Sequence, residues 1–262
     1  MSAVLLFHQG WTDIINSLGL IGYFSNKYEK LYLINRGDAE PLINFYVKQF
    51  TNVIPIYMSK ETVDNFPYFI NDIAYIREGY KELVNSKKLY IGLYDACRND
   101  EYKGSFENRS VRVVNQTGES DDWFVDAFYS SYNIDSINRI SMFSIIRDLD
   151  IEKNKKNSII KTNKPYILYH CIDIEEIKLN TQIDINTIDL INLSEISYIF
   201  FDCIKLLEDS IEIYVHDSVW GIICYLLDVK YALFKNKKIY LYQKRGYGRM
   251  FINPKLNNWI IR

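Results

Sequence analysis

The chain carries three histidines, His8, His170 and His216. Each follows a run of mostly apolar, β-forming residues: AVLLF before His8, YILY before His170, IEIYV before His216. Each ring is therefore expected at the carboxyl end of a buried strand, the edge where open α/β sheets bind ligands. Two of the three open polar corners. After His8 come Gln9, Gly10, Trp11, Thr12 and Asp13; after His216 come Asp217 and Ser218. An imidazole or carboxylate so placed can take a proton from a hydroxyl. A helix opening on Ser can hold a phosphate on its first amides. Either the three histidines share one cleft, or each is satisfied separately by nearby backbone.

The corner at 216–221 has two readings. Asp217 or Ser218 can cap the following helix by accepting from its first-turn amides. Alternatively those amides, over Ser218, Val219, Trp220 and Gly221, hold a diphosphate with the help of the helix dipole, Gly221 permitting close backbone approach. Asp13 is similarly double. Thr12 or Asp13 can cap the first helix after a tight corner at Gly10. As a first-turn carboxylate kept ionised by the helix terminus, Asp13 also suits a general base acting on a sugar hydroxyl.

His8, His170, His216 and Asp217 would be enough ligands for zinc or iron, which sets out a metal-dependent hydrolase as one reading. Their spacing follows no metal-binding pattern, so no metal or other cofactor is expected. The chain lacks a phosphate-binding P-loop, a Rossmann G-x-G-x-x-G after the first strand and a G-x-S-x-G elbow. No D-x-D stands at a strand end; Asp148 and Asp150 lie in a charged region.

Positioning these corners requires a sheet. Residues 3–7 read as a strand buried on both faces. A helix over 14–24, a strand at 30–35, a turn at Arg36, a helix over 39–50 and a strand at 53–57 follow, with Pro55 marking an edge or bulge. A helix is expected over 72–85, a strand at 88–94, a long polar loop over 98–122, an aromatic helix over 123–132 and further packing at 140–146. Residues 152–164, EKNKKNSIIKTNK, form the sharpest change in composition. They serve either as a linker between domains or as a surface loop within one. The second half restarts with strands at 166–171, 190–192 and 211–215. A helix runs from Ser194 to Leu207 and another over 218–227; strands follow at 230–234 and 238–242. Strands alternating with helices of these lengths imply parallel crossovers.

At 262 residues and 48% apolar, the chain can bury one large core or two small ones. A net charge of -2 provides no global basic field for nucleic acid or an anionic membrane. The 22 tyrosines reflect either an AT-rich genome or a surface that stacks sugars or bases. Cys97, Cys171, Cys203 and Cys224 form no C-x-x-C pair, and three lie in apolar runs, which suits buried free thiols in a reducing compartment. The opening MSAVLLFHQG has too short an apolar stretch for a signal peptide, and no segment approaches the roughly 18 apolar residues of a membrane span. A cytoplasmic location is expected.

The two corners together resemble GT-B glycosyltransferases, in particular the ADP-heptose lipopolysaccharide heptosyltransferase group. VLLFHQGWTDIINSLGLI is similar to the first strand, corner and helix of that group, with Asp13 matching its base. NLSEISYIFFDCIKLLEDSIEIYVHDSVWGIICYLLD is similar to the helix, strand and Asp-Ser corner that cradle the donor diphosphate, with Asp217 and Ser218 as the matching pair. Two residues separate Gly10 from Asp13 where the group has none. Val219 stands in place of its Gly and Ile222 in place of its His. No Lys or Arg follows YILYH, so His170 or the tail arginines Arg245 and Arg249 would meet the phosphates.

The resemblance implies two facing Rossmann-like domains with mostly parallel sheets and a cleft between them. Their expected extents are 1–152 on the acceptor side, 153–164 as linker and 165–262 for the nucleotide sugar. It implies metal-independent transfer of a sugar from a nucleotide-sugar donor to a glycan or other hydroxyl acceptor. Asp13 or His8 would deprotonate the acceptor. His170, His216, Asp217, Ser218, Val219, Trp220, Gly221, Arg245 and Arg249 would bind the donor. Gly10, Trp11, Thr12 and Arg36 would lie on the acceptor side. The departures from the group leave a non-catalytic α/β module that binds a nucleotide or glycan as the alternative.

Overall fold

The computed structural model describes residues 1–7, 10–59, 86–91, 128–129, 132–196, 200–242 and 258–262. The chain divides into two compact units, Met1–Ile145 and Ile146–Arg262.

The first unit opens with β1 (Ser2–Phe7), α1 (Trp11–Asn16), α2 (Leu18–Ser25), β2 (Lys30–Arg36), α3 (Glu40–Val47), β3 (Val53–Met58) and β4 (Lys87–Ile91). The described strands form a parallel sheet in the order β3-β2-β1-β4. Ala3 to Phe7 and Leu31 to Asn35 are buried without interruption, as strands covered on both faces must be. Pro55 sits on the edge strand β3, where its missing N–H costs no ladder bond. The helix expected over 14–24 starts earlier, at Trp11, and breaks at Ser17. Beyond the break, Gly19 and Gly22 admit α4 (Asn138–Ser141) at close range. A Cβ on Gly19 would lie 2.6 Å from the Asn138 carbonyl oxygen, and one on Gly22 2.6 Å from that of Met142. The helix expected over 72–85, the loop over 98–122 and most of the aromatic helix over 123–132 lie outside the described residues.

The second unit contains α5 (Leu149–Ile159), β5 (Tyr166–Tyr169), α6 (Ile174–Asn180), β6 (Asp189–Asn192), α7 (Ile204–Asp209), β7 (Glu212–His216), α8 (Val219–Tyr231), β8 (Lys238–Tyr242) and β9 (Trp259–Ile261). Its sheet is also parallel, in the order β6-β5-β7-β8-β9. Three expectations are corrected here. The segment 153–164, expected as a linker after a domain ending at 152, lies mostly in α5, and the boundary falls at 145/146. Glu152 is buried in α5 and accepts from Arg147, whose guanidinium also donates to Glu208 at 3.0 Å, so the charge run is anchored to α7. The strand expected at 230–234 does not form: α8 continues to Tyr231 and stops at Ala232 in the left-handed region (φ 53°). The helix expected from Ser194 to Leu207 is shorter; a turn at Phe200–Cys203 leads into α7.

The last strand is tied to α8 by one buried carboxylate. Asp228 accepts from the Phe234 N–H (2.9 Å), the Asn258 side-chain amide (3.1 Å) and the Trp259 indole N–H (2.9 Å). Among the described residues no helix is long and apolar enough to cross a membrane.

Asp228→Ala leaves two of these donors buried without an acceptor. We expect a loss of about 2–4 kcal/mol in urea unfolding. An effect below about 0.5 kcal/mol would show that the carboxylate does not hold β9 in place.

Candidate active site

The strand order decides where a ligand can enter. In the second unit the chain leaves β5 toward β6 on one side and leaves β7 toward β8 on the other. Loops after adjacent strands that depart in opposite directions open a crevice at the carboxyl edge, the topological switch point. His170 and Cys171 follow β5, and Asp217 and Ser218 follow β7, so this crevice is lined by the second polar corner. In the first unit β4 lies on the far side of β1 from β2, and the corner at 10–13 follows β1.

Ser218 is the N-terminal flanking residue of α8, but its side chain does not cap the helix. Its Oγ lies 3.0 Å from His170 Nδ1 instead. The expected cap by Asp217 or Ser218 is thus absent at Ser218, and the first-turn amides, which have no acceptor within the helix, receive no side chain from it. His170 is half-buried. Burial, and then the charge of His216, hold its basicity below that of an ordinary histidine.

His216 is buried and faces backbone carbonyls on both sides. Its Nε2 lies 2.7 Å from the Cys171 oxygen and its Nδ1 3.1 Å from the Tyr242 oxygen. The ring therefore ties the loops after β5 and β8 onto β7. Asp217 is buried beside it, and its N–H donates to the same Tyr242 oxygen at 3.2 Å. Trp220, expected to touch a donor, packs its ring edge-on against Phe200 (5.0 Å) in the core. Gly221 is buried in α8, while Val219 and Ser218 stay partly open.

In the first unit Gly10, not Thr12 or Asp13, occupies the flanking position of α1, and its carbonyl accepts from the Asp13 and Ile14 amides at 3.1 Å. Its backbone is ordinary extended (φ -69°, ψ 170°), so the corner does not need a glycine for conformation; a Cβ there would meet open space. Trp11, Thr12 and Asp13 are half-buried. The expectation that the helix terminus keeps Asp13 ionised is reversed: burial pushes its carboxyl up to about 7. Desolvation outweighs the dipole of a single short helix. Arg36, expected on the acceptor side, is forked onto Asp38, its Nε 3.1 Å from Oδ1.

His8, Arg245 and Arg249 lie outside the described residues. Among the described residues no group of three or more His, Cys, Asp or Glu side chains is placed to hold a metal ion. Sequence reasoning missed Cys171. Expected as a buried thiol, it is exposed in the crevice, whereas Cys203 and Cys224 are buried. Its neighbour His170 was the available signal. Tyr242 was also missed because it acts through its backbone oxygen.

No family model matches the chain, and no curated protein matches it. Solved structures similar in fold include two glycosyltransferases. The ADP-heptose lipopolysaccharide heptosyltransferase II of E. coli superposes with a TM-score of 0.59 at 10% identity, covering 100% of this chain and 90% of that one. A glycosyl transferase of family 9 from Veillonella parvula gives a TM-score of 0.59 at 7% identity, covering 100% of this chain and 85% of that one. The chain is an α/β protein with the fold of these glycosyltransferases, the fold implied by the resemblance of its two corners.

The raised Asp13 carboxyl has a signed consequence. Its folded value, about 7, exceeds the unfolded 3.8, so the folded state holds the proton more tightly between them. The stability this contributes is full below pH 3.8 and is lost as pH rises through 7. Asp13→Asn removes that loss. At pH 8 the variant should be more stable than the parent by up to a few kcal/mol, since each pH unit separating the folded and unfolded values is worth about 1.4 kcal/mol. At pH 4 the two should be close. Equal stability differences at both values would contradict the burial of Asp13.

Proposed function

We propose that this chain is a glycosyltransferase that moves a sugar from a nucleotide-sugar donor to the hydroxyl of a glycan or other acceptor without a metal ion. The observation that carries the proposal is the corner at Ser218. There the flanking side chain turns from the helix toward His170, at the switch point of a parallel sheet. The donor diphosphate would accept from the first amides of α8 and from Ser218 Oγ, with His170 beside it. Arg245 and Arg249 would add charge-assisted bonds to phosphate.

Asp13 is the group we assign to the proton. A carboxyl near 7 is balanced between holding and releasing a proton at the operating pH, as an efficient general base must be. The acceptor hydroxyl would give its proton to the Asp13 carboxylate, and its oxygen would attack the anomeric carbon. The bond from that carbon to the phosphate oxygen would break, and the amides of α8 would meet the charge growing on the leaving diphosphate. His8 is the second candidate for this proton.

Thermal shift in the presence of a chelator tests donor binding. At least one of ADP, UDP, GDP or CDP, or its sugar conjugate, should raise the melting temperature. With that donor, Asp13→Asn should lower turnover by about 10²–10⁴ while the shift survives. The parent's rate should rise with pH through about 7 as Asp13 ionises. No shift with any of these nucleotides would contradict the donor site. A shift with no turnover for any acceptor would leave a binding module in place of an enzyme.

A further inference from the structure

We propose that Cys171 is a nucleophilic thiol served by His170, a site at which low-molecular-mass disulfides form a mixed disulfide in the crevice between β5 and β7. Three elements converge there. Cys171 Sγ lies 3.6 Å from His170 Nε2 and 3.7 Å from Ser194 Oγ, in the turn after β6. The other ring nitrogen of His170 faces Ser218 at the start of α8, 3.0 Å away. Cys171, His170, Ser194 and Ser218 form one polar cluster, in which Cys171 and Ser194 are exposed and His170 and Ser218 half-buried.

The backbone presents the sulfur outward. The His170 N–H donates to the Tyr214 oxygen at 2.9 Å, and the Cys171 oxygen accepts from His216 Nε2 at 2.7 Å. Ile172 is buried immediately after. Between these anchors Cys171 takes a left-handed conformation (φ 56°), which turns its side chain away from the core. The contrast with Cys203 and Cys224 is sharp. Both are buried and both thiols are pushed up to about 12, so neither supplies a thiolate.

His170 is the proton acceptor. Burial, and then the neighbouring charge of His216, lower its basicity and favour the neutral ring. With Nδ1–H donated to Ser218 Oγ, the Nε2 lone pair faces the thiol. In the reaction the Cys171 S–H proton passes to Nε2. The sulfur attacks one sulfur of the disulfide, and the S–S bond breaks. The departing thiolate takes the proton from the imidazolium, leaving neutral His170, a Cys171 mixed disulfide and one free thiol. The two-electron balance is supplied by the incoming disulfide. An adduct on Sγ would stand beside Ser218 and compete with a diphosphate there; this part alone rests on the proposed donor site.

The native protein is treated with oxidised glutathione, and the modified cysteine is identified by peptide mass mapping, which separates Cys171 from Cys97. Rates are read with the chromogenic disulfide dithiobis(nitrobenzoate). Cys171 should carry the adduct and react in the native protein at least about tenfold faster than in the guanidinium-unfolded chain. Cys171→Ser should lose the fast phase, and His170→Gln should slow it about tenfold. The native-versus-unfolded comparison needs no variant to fold. Cys171 left unmodified, or reacting no faster in the native protein than when unfolded, would overturn the proposal. After modification, any melting shift caused by a nucleoside diphosphate should disappear. A shift that persists undiminished would overturn the competition. If no nucleotide shifts the unmodified protein, the donor reading fails while the thiol result stands.

Discussion

The structure depends on a reversal of strand order. In each sheet the chain first winds to one side and then crosses back over its starting strand, so β4 lies beyond β1 and β7 lies beyond β5. Right-handed crossovers over a parallel sheet leave the loops at that point diverging, and a crevice results without any special sequence to carve it. What the sequence must add is polarity at the two strand ends that flank it. In the second unit it does so with His170 and Cys171 after β5 and with His216, Asp217 and Ser218 at and after β7.

Holding those polar residues open requires buried interactions beneath them. His216 does this from inside the sheet, with one nitrogen on the Cys171 carbonyl and the other on that of Tyr242, so three strand ends are clamped to one ring. Tyr214 and Tyr240 stack at 4.3 Å on adjacent strands, and Tyr214 donates to Glu212 at 2.9 Å. At the opposite end Lys237 donates to the carbonyls of Leu207, Glu208 and Ser210, closing the last turn of α7. These contacts satisfy groups that would otherwise be costly to bury, and they leave Ser218 and Cys171 to face the crevice.

Much of this was legible in the sequence, and for a physical reason. Strands buried on both faces read as largely apolar runs, so the strands expected at 3–7, 30–35, 166–171 and 211–215 announce themselves, the third ending earlier, at Tyr169. Strand order was not legible, because nothing in a strand's own residues records its neighbours; the switch points emerge only from the pairing. The charged run at 152–164 misled because composition reports exposure, and a helix with one buried face, anchored by Glu152, is still mostly exposed. Asp13 misled in sign because the dipole of its helix is visible in sequence while its burial is not. His216 and Trp220 were placed near a ligand by their position; packing turned both rings inward.

The central claim is that the crevice between β5 and β7 receives a diphosphate on the amides at the start of α8. Backbone amide shifts of the labelled protein, followed during titration with the nucleoside diphosphate that stabilises it, test this directly. The account predicts that the largest changes fall on Val219, Trp220 and Gly221 and on His170 and Cys171. Changes confined to the amino ends of the strands, or to the edge strands β6 and β9, would contradict it.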